Sequence, residues 1–189
     1  MPFVDGETLR ERLKRDKQLP VDDVVAITKD VTAAVGHAHS HGFVHRDLKP
    51  ENILLSEDHA LVSDFGVARA VSEAGGEQLT ESGIAIGTPA YMSPEQATGY
   101  GEIDGRSDIY SLGLVVYEML AGEPPFTGTT PQMVMARQAS ERVPSLEIVR
   151  PNLPLELIEV VEKALAKVPA DRYQTAHQFG EAVSTGASG

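Results

Sequence analysis

The sequence contains no cysteine and no tryptophan, and aromatic residues make up only 5% of its 189 positions. Without cysteine there is no disulfide scaffold, no thiol nucleophile and no thiolate-bound zinc. Basic residues are also scarce: Lys plus Arg number 16 against 28 Asp plus Glu, a formal net charge of -12. A general nucleic-acid binder needs a basic stripe, so no nucleic-acid partner is expected. The longest apolar stretch, around Leu112 to Tyr117, is far shorter than the roughly 20 residues that cross a bilayer, so no membrane insertion is expected within the chain. The opening M-P-F-V-D-G-E-T has neither the charged nor the apolar region of a secretory signal. These absences fit a reducing, cytoplasmic setting, with any membrane tether lying outside these residues.

A hydrophobic content of 41% is enough for one globular domain with its own core. Residues Glu7 to Asp16 read as a short charged helix. Asp22 and Asp23 open a clearer one, favourable for the helix dipole, and Val24, Ile27, Val31, Ala34, Val35 and Ala38 recur at helical spacing up to Gly42. Two short apolar runs, Ile53 to Leu55 and Ala60 to Ser63, flank a polar turn and predict a β-hairpin. Residues 66–93, rich in Gly, Ser, Thr and Glu with few periodic apolar positions, read as a long loop. Arg106 to Gly122 is apolar nearly all round, which predicts a buried central helix ended by Pro124-Pro125. Further helices are expected at Thr130 to Ala139, Leu155 to Lys167 and Thr175 to Val183, and residues 185–189 read as a flexible tail. The fold class is therefore α+β, mainly α, with a small β-hairpin.

The densest chemical signal is H-R-D-L-K-P-E-N, His45 to Asn52, followed twelve residues after Asn52 by D-F-G, Asp64 to Gly66. The predicted hairpin lies between them. Asn52 precedes its first strand and Asp64 follows its second, and in an antiparallel pair those ends are neighbours. An amide oxygen and a carboxylate brought together are hard oxygen ligands suited to Mg²⁺, with positions left for phosphate and water. Asp47 and Lys49 lie on the loop leading into this place, two residues apart, so an extended backbone puts them on one face. One can accept a hydroxyl proton and the other can face a phosphate in transfer.

These motifs, closed by Ser93-Pro94-Glu95 in place of A-P-E, resemble those of the protein kinases. G-T-P-A-Y-M-S-P-E-Q-A, D-I-Y-S-L-G, G-E-P-P-F-T-G and D-R-Y-Q-T-A are similar to bacterial serine/threonine kinases of the Hanks type, and the likeness runs over residues 1–184. The resemblance implies a kinase-like large lobe that transfers the γ-phosphate of ATP to a protein Ser or Thr hydroxyl with Mg²⁺. Asp47 takes the role of the residue that orients the hydroxyl, Lys49 steadies the γ-phosphate, and Thr88 contacts both. Asn52 and Asp64 become the metal ligands. Leu54 lies under the adenine, and Met1 to Val4 resembles the hinge strand beside it. Thr80 and Ser82 stand where such kinases autophosphorylate; a phosphate adds roughly -1.5 to -2 charge, for which Arg46 is a counter-ion, with Arg69 a second. His45, Phe65, Glu95, Asp108 and Arg172 take structural roles, with Glu95 and Arg172 paired and Asp108 holding the backbone of the catalytic loop.

The departure from the family lies at the front. No G-x-G-x-x-G stretch occurs, and V-A-I-T-K, Val25 to Lys29, falls on the helix before the catalytic loop rather than on a strand. The resemblance thus implies a missing N-terminal small lobe, which would be a partner of this one. An alternative is a non-catalytic module that docks substrates or partners; a small-molecule phosphotransferase is a weaker one, opposed by S-P-E and G-T-P-A-Y. The histidines His37, His39 and His41 are expected to suit a helix C-terminus rather than bind metal.

Overall fold

The computed structural model describes residues 6–56, 59–65 and 89–189. A short strand β1 (Glu7–Thr8) runs into α1 (Leu9–Asp16), followed by the long α2 (Val21–Ser40). A 3₁₀ turn at Pro50–Asn52 leads into β2 (Ile53–Leu55) and β3 (Ala60–Val62). After a second such turn at Pro89–Tyr91 come α3 (Pro94–Thr98), α4 (Gly105–Ala121), α5 (Pro131–Ser140), α6 (Leu146–Val149), α7 (Leu155–Ala164) and α8 (Ala176–Gly186).

Helix α4 is the hub. Asp104 caps it, accepting the Arg106 N–H at 2.8 Å, and Gly122 ends it in the left-handed conformation at φ 89°. Every residue from Ser107 to Ala121 is buried, so the expected central helix is found. Helices α2, α7 and α8 pack around it, and α8 also packs on both α2 and α7. Each large aliphatic side chain taken from water in this way contributes about 1.5–3 kcal/mol. The approach of α8 to α2 is set by Gly180, where an added Cβ would lie 2.3 Å from Thr32 Oγ1.

The hairpin forms in the expected place, with Ile53 opposite Val62 and Leu55 opposite Ala60. Two expectations change. Glu7 and Thr8 are a strand, not helix: they pair antiparallel with Leu55 and Leu54 and make a three-stranded sheet in the order β1-β2-β3. The helix start is displaced to Leu9 because Thr8 is extended and forms a capping box. Its hydroxyl accepts the Glu11 N–H at 3.2 Å while Glu11 accepts the Thr8 N–H at 2.8 Å. The tail also differs from the expected flexible segment 185–189. Helix α8 continues through Gly186, which is buried where an added Cβ would meet the Glu156 backbone at 3.1 Å. A residue without a side chain is what allows that contact.

Candidate active site

The segment from His45 to Lys49 has no regular structure, and polar bonds fix its path. Asp108, 1% exposed in the first turn of α4, accepts the His45 N–H at 2.8 Å on Oδ2 and the Arg46 N–H at 2.8 Å on Oδ1. Its Oδ2 also takes His39 Nε2 at 2.7 Å. Arg46 sits at φ 68°, a conformation that costs a long side chain about 1–2 kcal/mol. It is held from both sides, since Gln96 Nε2 donates to its carbonyl at 2.8 Å. His45, buried, joins the loop to the end of the sheet. Its Nε2 donates to the Ser63 carbonyl at 2.8 Å and its Nδ1 accepts the Asp47 N–H at 3.2 Å. The ring of Phe65, itself partly exposed, meets the His45 imidazole edge-on with centroids 4.7 Å apart.

These constraints deliver a small cluster. Lys49 Nζ is 2.8 Å from the Asp47 carboxylate, with side-chain exposures of 18% and 33%, so both reach solvent. Asn52 is nearly buried and donates its amide nitrogen to the Asp47 carbonyl at 2.9 Å and toward the Asp47 carboxylate at 3.4 Å. That leaves its amide oxygen as the group available to a cation. The Ser63 N–H donates to the Asn52 carbonyl at 2.9 Å, closing the hairpin one residue before Asp64. Asp64 is exposed at φ 62° and accepts a bond from Ser63 Oγ at 3.1 Å. The donor set, one amide oxygen and one carboxylate with open positions, fits a hard divalent cation shared with phosphate. Among the described residues no group of three or more His, Cys, Asp or Glu is placed to hold a metal, so this pair is not an all-protein cage. Leu54 lies opposite Thr8 and Leu61 in the sheet, and Leu61 is exposed.

Glu95 and Arg172 form a buried two-pronged pair, with both nitrogen–oxygen distances 2.8 Å and side-chain exposures of 5% and 0%. The guanidinium also donates to the carbonyls of Ala166, Arg106 and Lys167, and its plane lies 4.8 Å from the Tyr110 ring centre. All five of its donors are thereby used. Burial pushes the Glu95 carboxyl up, but bonds from Arg172 and from Ser107 Oγ outweigh it and hold the group below the usual carboxylate value.

Other expected residues are not placed. Val4, Thr80, Ser82 and Thr88 lie outside the described residues, as do Arg69 and the rest of Met1 to Val4. Some structural residues went unread in the sequence. His39, expected only to suit a helix end, is bound to Asp108. Gln96 has a readable signal in the S-x-x-Q spacing of its capping box with Ser93. Arg10 has none: it donates to Glu118 at 2.7 Å, to Glu51 at 2.8 Å and to Tyr91 Oη, and Tyr91 in turn donates to Glu118. Burial and the Glu118 carboxylate raise the Tyr91 hydroxyl far above its usual value.

A model of the protein kinase domain matches residues 1–182. The chain is 43% identical over 180 residues to serine/threonine-protein kinase PknB of Mycobacterium leprae, covering 95% of this chain and 28% of that protein. It is 42% identical over 181 residues to serine/threonine-protein kinase PknL of Mycobacterium tuberculosis, covering 95% of this chain and 44% of that one. The chain therefore spans less than half the length of these relatives. Among solved structures, the Mycobacterium tuberculosis PknI kinase domain superposes with a TM-score of 0.76 at 31% identity, over 99% of this chain and 65% of the other. On the family match, supported by the catalytic-loop geometry and the relatives above 40% identity, the chain belongs to the protein kinase family, among the bacterial serine/threonine kinases of the Hanks type.

Proposed function

We propose that these residues carry the catalytic loop of an ATP- and Mg²⁺-dependent kinase that phosphorylates Ser or Thr hydroxyls of proteins. The observation that carries this reading is the convergence of Asp47, Lys49 and Asn52 beside the hairpin end that leads to Asp64. In the reaction the substrate hydroxyl oxygen bonds to the γ-phosphorus, the bond from that phosphorus to the β–γ bridging oxygen breaks, and ADP departs. Asp47 orients the hydroxyl and receives its proton. Lys49, already beside that carboxylate, places positive charge where the transferred phosphoryl gathers negative charge. Asn52 and Asp64 would hold Mg²⁺, which when bound neutralises phosphate charge. Val4 and Leu54 contact the adenine in this reading, and Thr88 links Asp47 and Lys49. Thr80 and Ser82 are the phosphoacceptors of regulation, with Arg46 as counter-ion.

The test is transfer from labelled ATP to a protein substrate by the full-length protein, with and without Asp47→Ala. Transfer that persists unchanged in the variant rules the reading out. A second reading, a docking module without turnover, is favoured by one sequence feature: no G-x-G-x-x-G phosphate loop occurs in the 189 residues. Mg-ATP separates the two. A thermal shift on adding the nucleotide supports the kinase, whereas a folded protein that neither shifts nor transfers supports the docking module.

A further inference from the structure

Arg10 of α1 lies between two glutamates that come from distant parts of the chain. Its Nε donates to Glu51 Oε1 at 2.8 Å and its Nη1 to Glu118 Oε1 at 2.7 Å, with Nη2 3.5 Å from the second Glu118 oxygen. Nη2 also donates to Tyr91 Oη, and the Tyr91 hydroxyl donates to Glu118. Side-chain exposure falls from 42% at Glu51 through 20% at Arg10 to 4% at Glu118, so the cluster runs from the surface inward. One guanidinium stands against two carboxylates.

Glu51 ties this cluster to the place where a substrate binds. It follows Asp47 by four residues and directly precedes Asn52. An extended chain covers at most about 3.6 Å per residue, so the Glu51 Cα lies within about 14 Å of that of Asp47. A peptide whose hydroxyl meets Asp47 covers the same span with about four of its own residues. Side chains flanking the phosphoacceptor therefore come within reach of Glu51. Two carboxylates converging there are suited to a guanidinium, and the protein's own Arg10 already occupies them.

We propose that Arg10 is a specificity-determining residue: it fills the Glu51–Glu118 acid pair from within, so that the site gives no advantage to basic residues near the phosphoacceptor. This rests on the kinase reading above. A substrate guanidinium has to displace a group tethered to the same chain, whose effective concentration is on the order of millimolar or more. If it enters beside Arg10 instead, it meets like charge. Without the Arg10 side chain, both carboxylates lose their counter-ion, and the vacated space matches a substrate arginine that can make the same bonds.

The experiment uses the full-length protein and Thr peptides of degenerate sequence. Arg or Ala is fixed in turn at each position up to about five residues either side of the Thr, which spans the distance to Glu51. Labelling from radioactive ATP is read as the Arg-to-Ala ratio at each position. The parent should give ratios near unity, and Arg10→Ala should raise the ratio at one or two positions by about tenfold or more. Adding Glu51→Gln to Arg10→Ala should abolish that gain. Because Arg10→Ala strands the buried Glu118 charge, Arg10→Ala with Glu118→Gln is measured beside it, with the melting point of each. The double variant keeps an acceptor for Tyr91 and leaves Glu51 uncovered, so its ratio should rise by about threefold or more; it decides the matter if the single variant does not fold. Ratios that are the same in the parent and in the folded variants overturn the inference alone. Transfer by the parent to no peptide at all overturns the kinase reading, and this inference with it.

Discussion

Charge is held in two different ways in this molecule. At the mouth of the site, Asp47 and Lys49 reach solvent and bond mainly to each other and to Asn52. Beneath them, Asp108, Glu95 and Arg172 are almost fully buried, and each makes several bonds to backbone or to another charge. The first group is free to meet a substrate and does little for the fold. The second group cannot touch a substrate, but it decides where the first one stands. Removing a member of each should therefore injure different properties.

The largest expected effect is on activity alone. In the full-length protein Asp47→Ala should lower phosphoryl transfer by about 10³-fold or more, while the urea midpoint stays near that of the parent. A midpoint that falls with activity would blur the contrast drawn above. Next, Arg172→Ala should cost about 3–5 kcal/mol of stability, because it strands Glu95 as a buried charge. Arg172→Lys should restore little of this, since an ammonium cannot reproduce the two-pronged geometry. Urea unfolding of both variants measures it. Asp108→Ala leaves the buried His45 N–H and the partly buried Arg46 N–H without their acceptor, at about 1–3 kcal/mol for a buried donor. It should lower stability and transfer together, which neither Asp47 nor a surface residue should do.

Two pH effects are smaller, and in both stability rises with pH, in an acidic window for one group and an alkaline window for the other. Glu95 titrates below its unfolded value of 4.5, so its contribution is present above that value and is lost as pH falls through the folded one. Glu95→Gln should flatten that acid limb. Lys167 titrates near 8 in the fold against 10.5 unfolded. Between those values the unfolded chain binds more protons, so stability should rise with pH across that window, and Lys167→Met should remove the rise. Denaturation series from pH 7 to about pH 9 test this before tyrosine ionisation enters. The smallest effect belongs to Thr8→Ala, which should cost about 1 kcal/mol by opening the cap of α1.

How legible these features were in the sequence depends on how far apart their parts lie. Asp47, Lys49 and Asn52 fall within six residues, and the hairpin that brings Asp64 up to them is itself a local pattern. The burial of α4 was readable because its apolar residues surround the axis. The β1 strand was not readable: two residues carry no periodicity, and they are extended only because β2 offers them partners. His39 reads in the sequence as a helix-end residue because nothing near it indicates Asp108, 69 positions away. The Arg10–Glu118 bond, across 108 positions, left no local trace either.

The sequence by itself determined which chemical groups stand on the candidate catalytic loop, which segments are helical, and which helix is the core, because short-range spacing and hydrophobic period encode those things. Tertiary structure alone decided the buried polar frame. Asp108 reaches back to the loop, Arg172 spends all five donors on three separate stretches, and Lys167 meets two aromatic rings. The worth of those groups comes from being removed from water beside a partner, and no single segment of chain contains both halves of that condition.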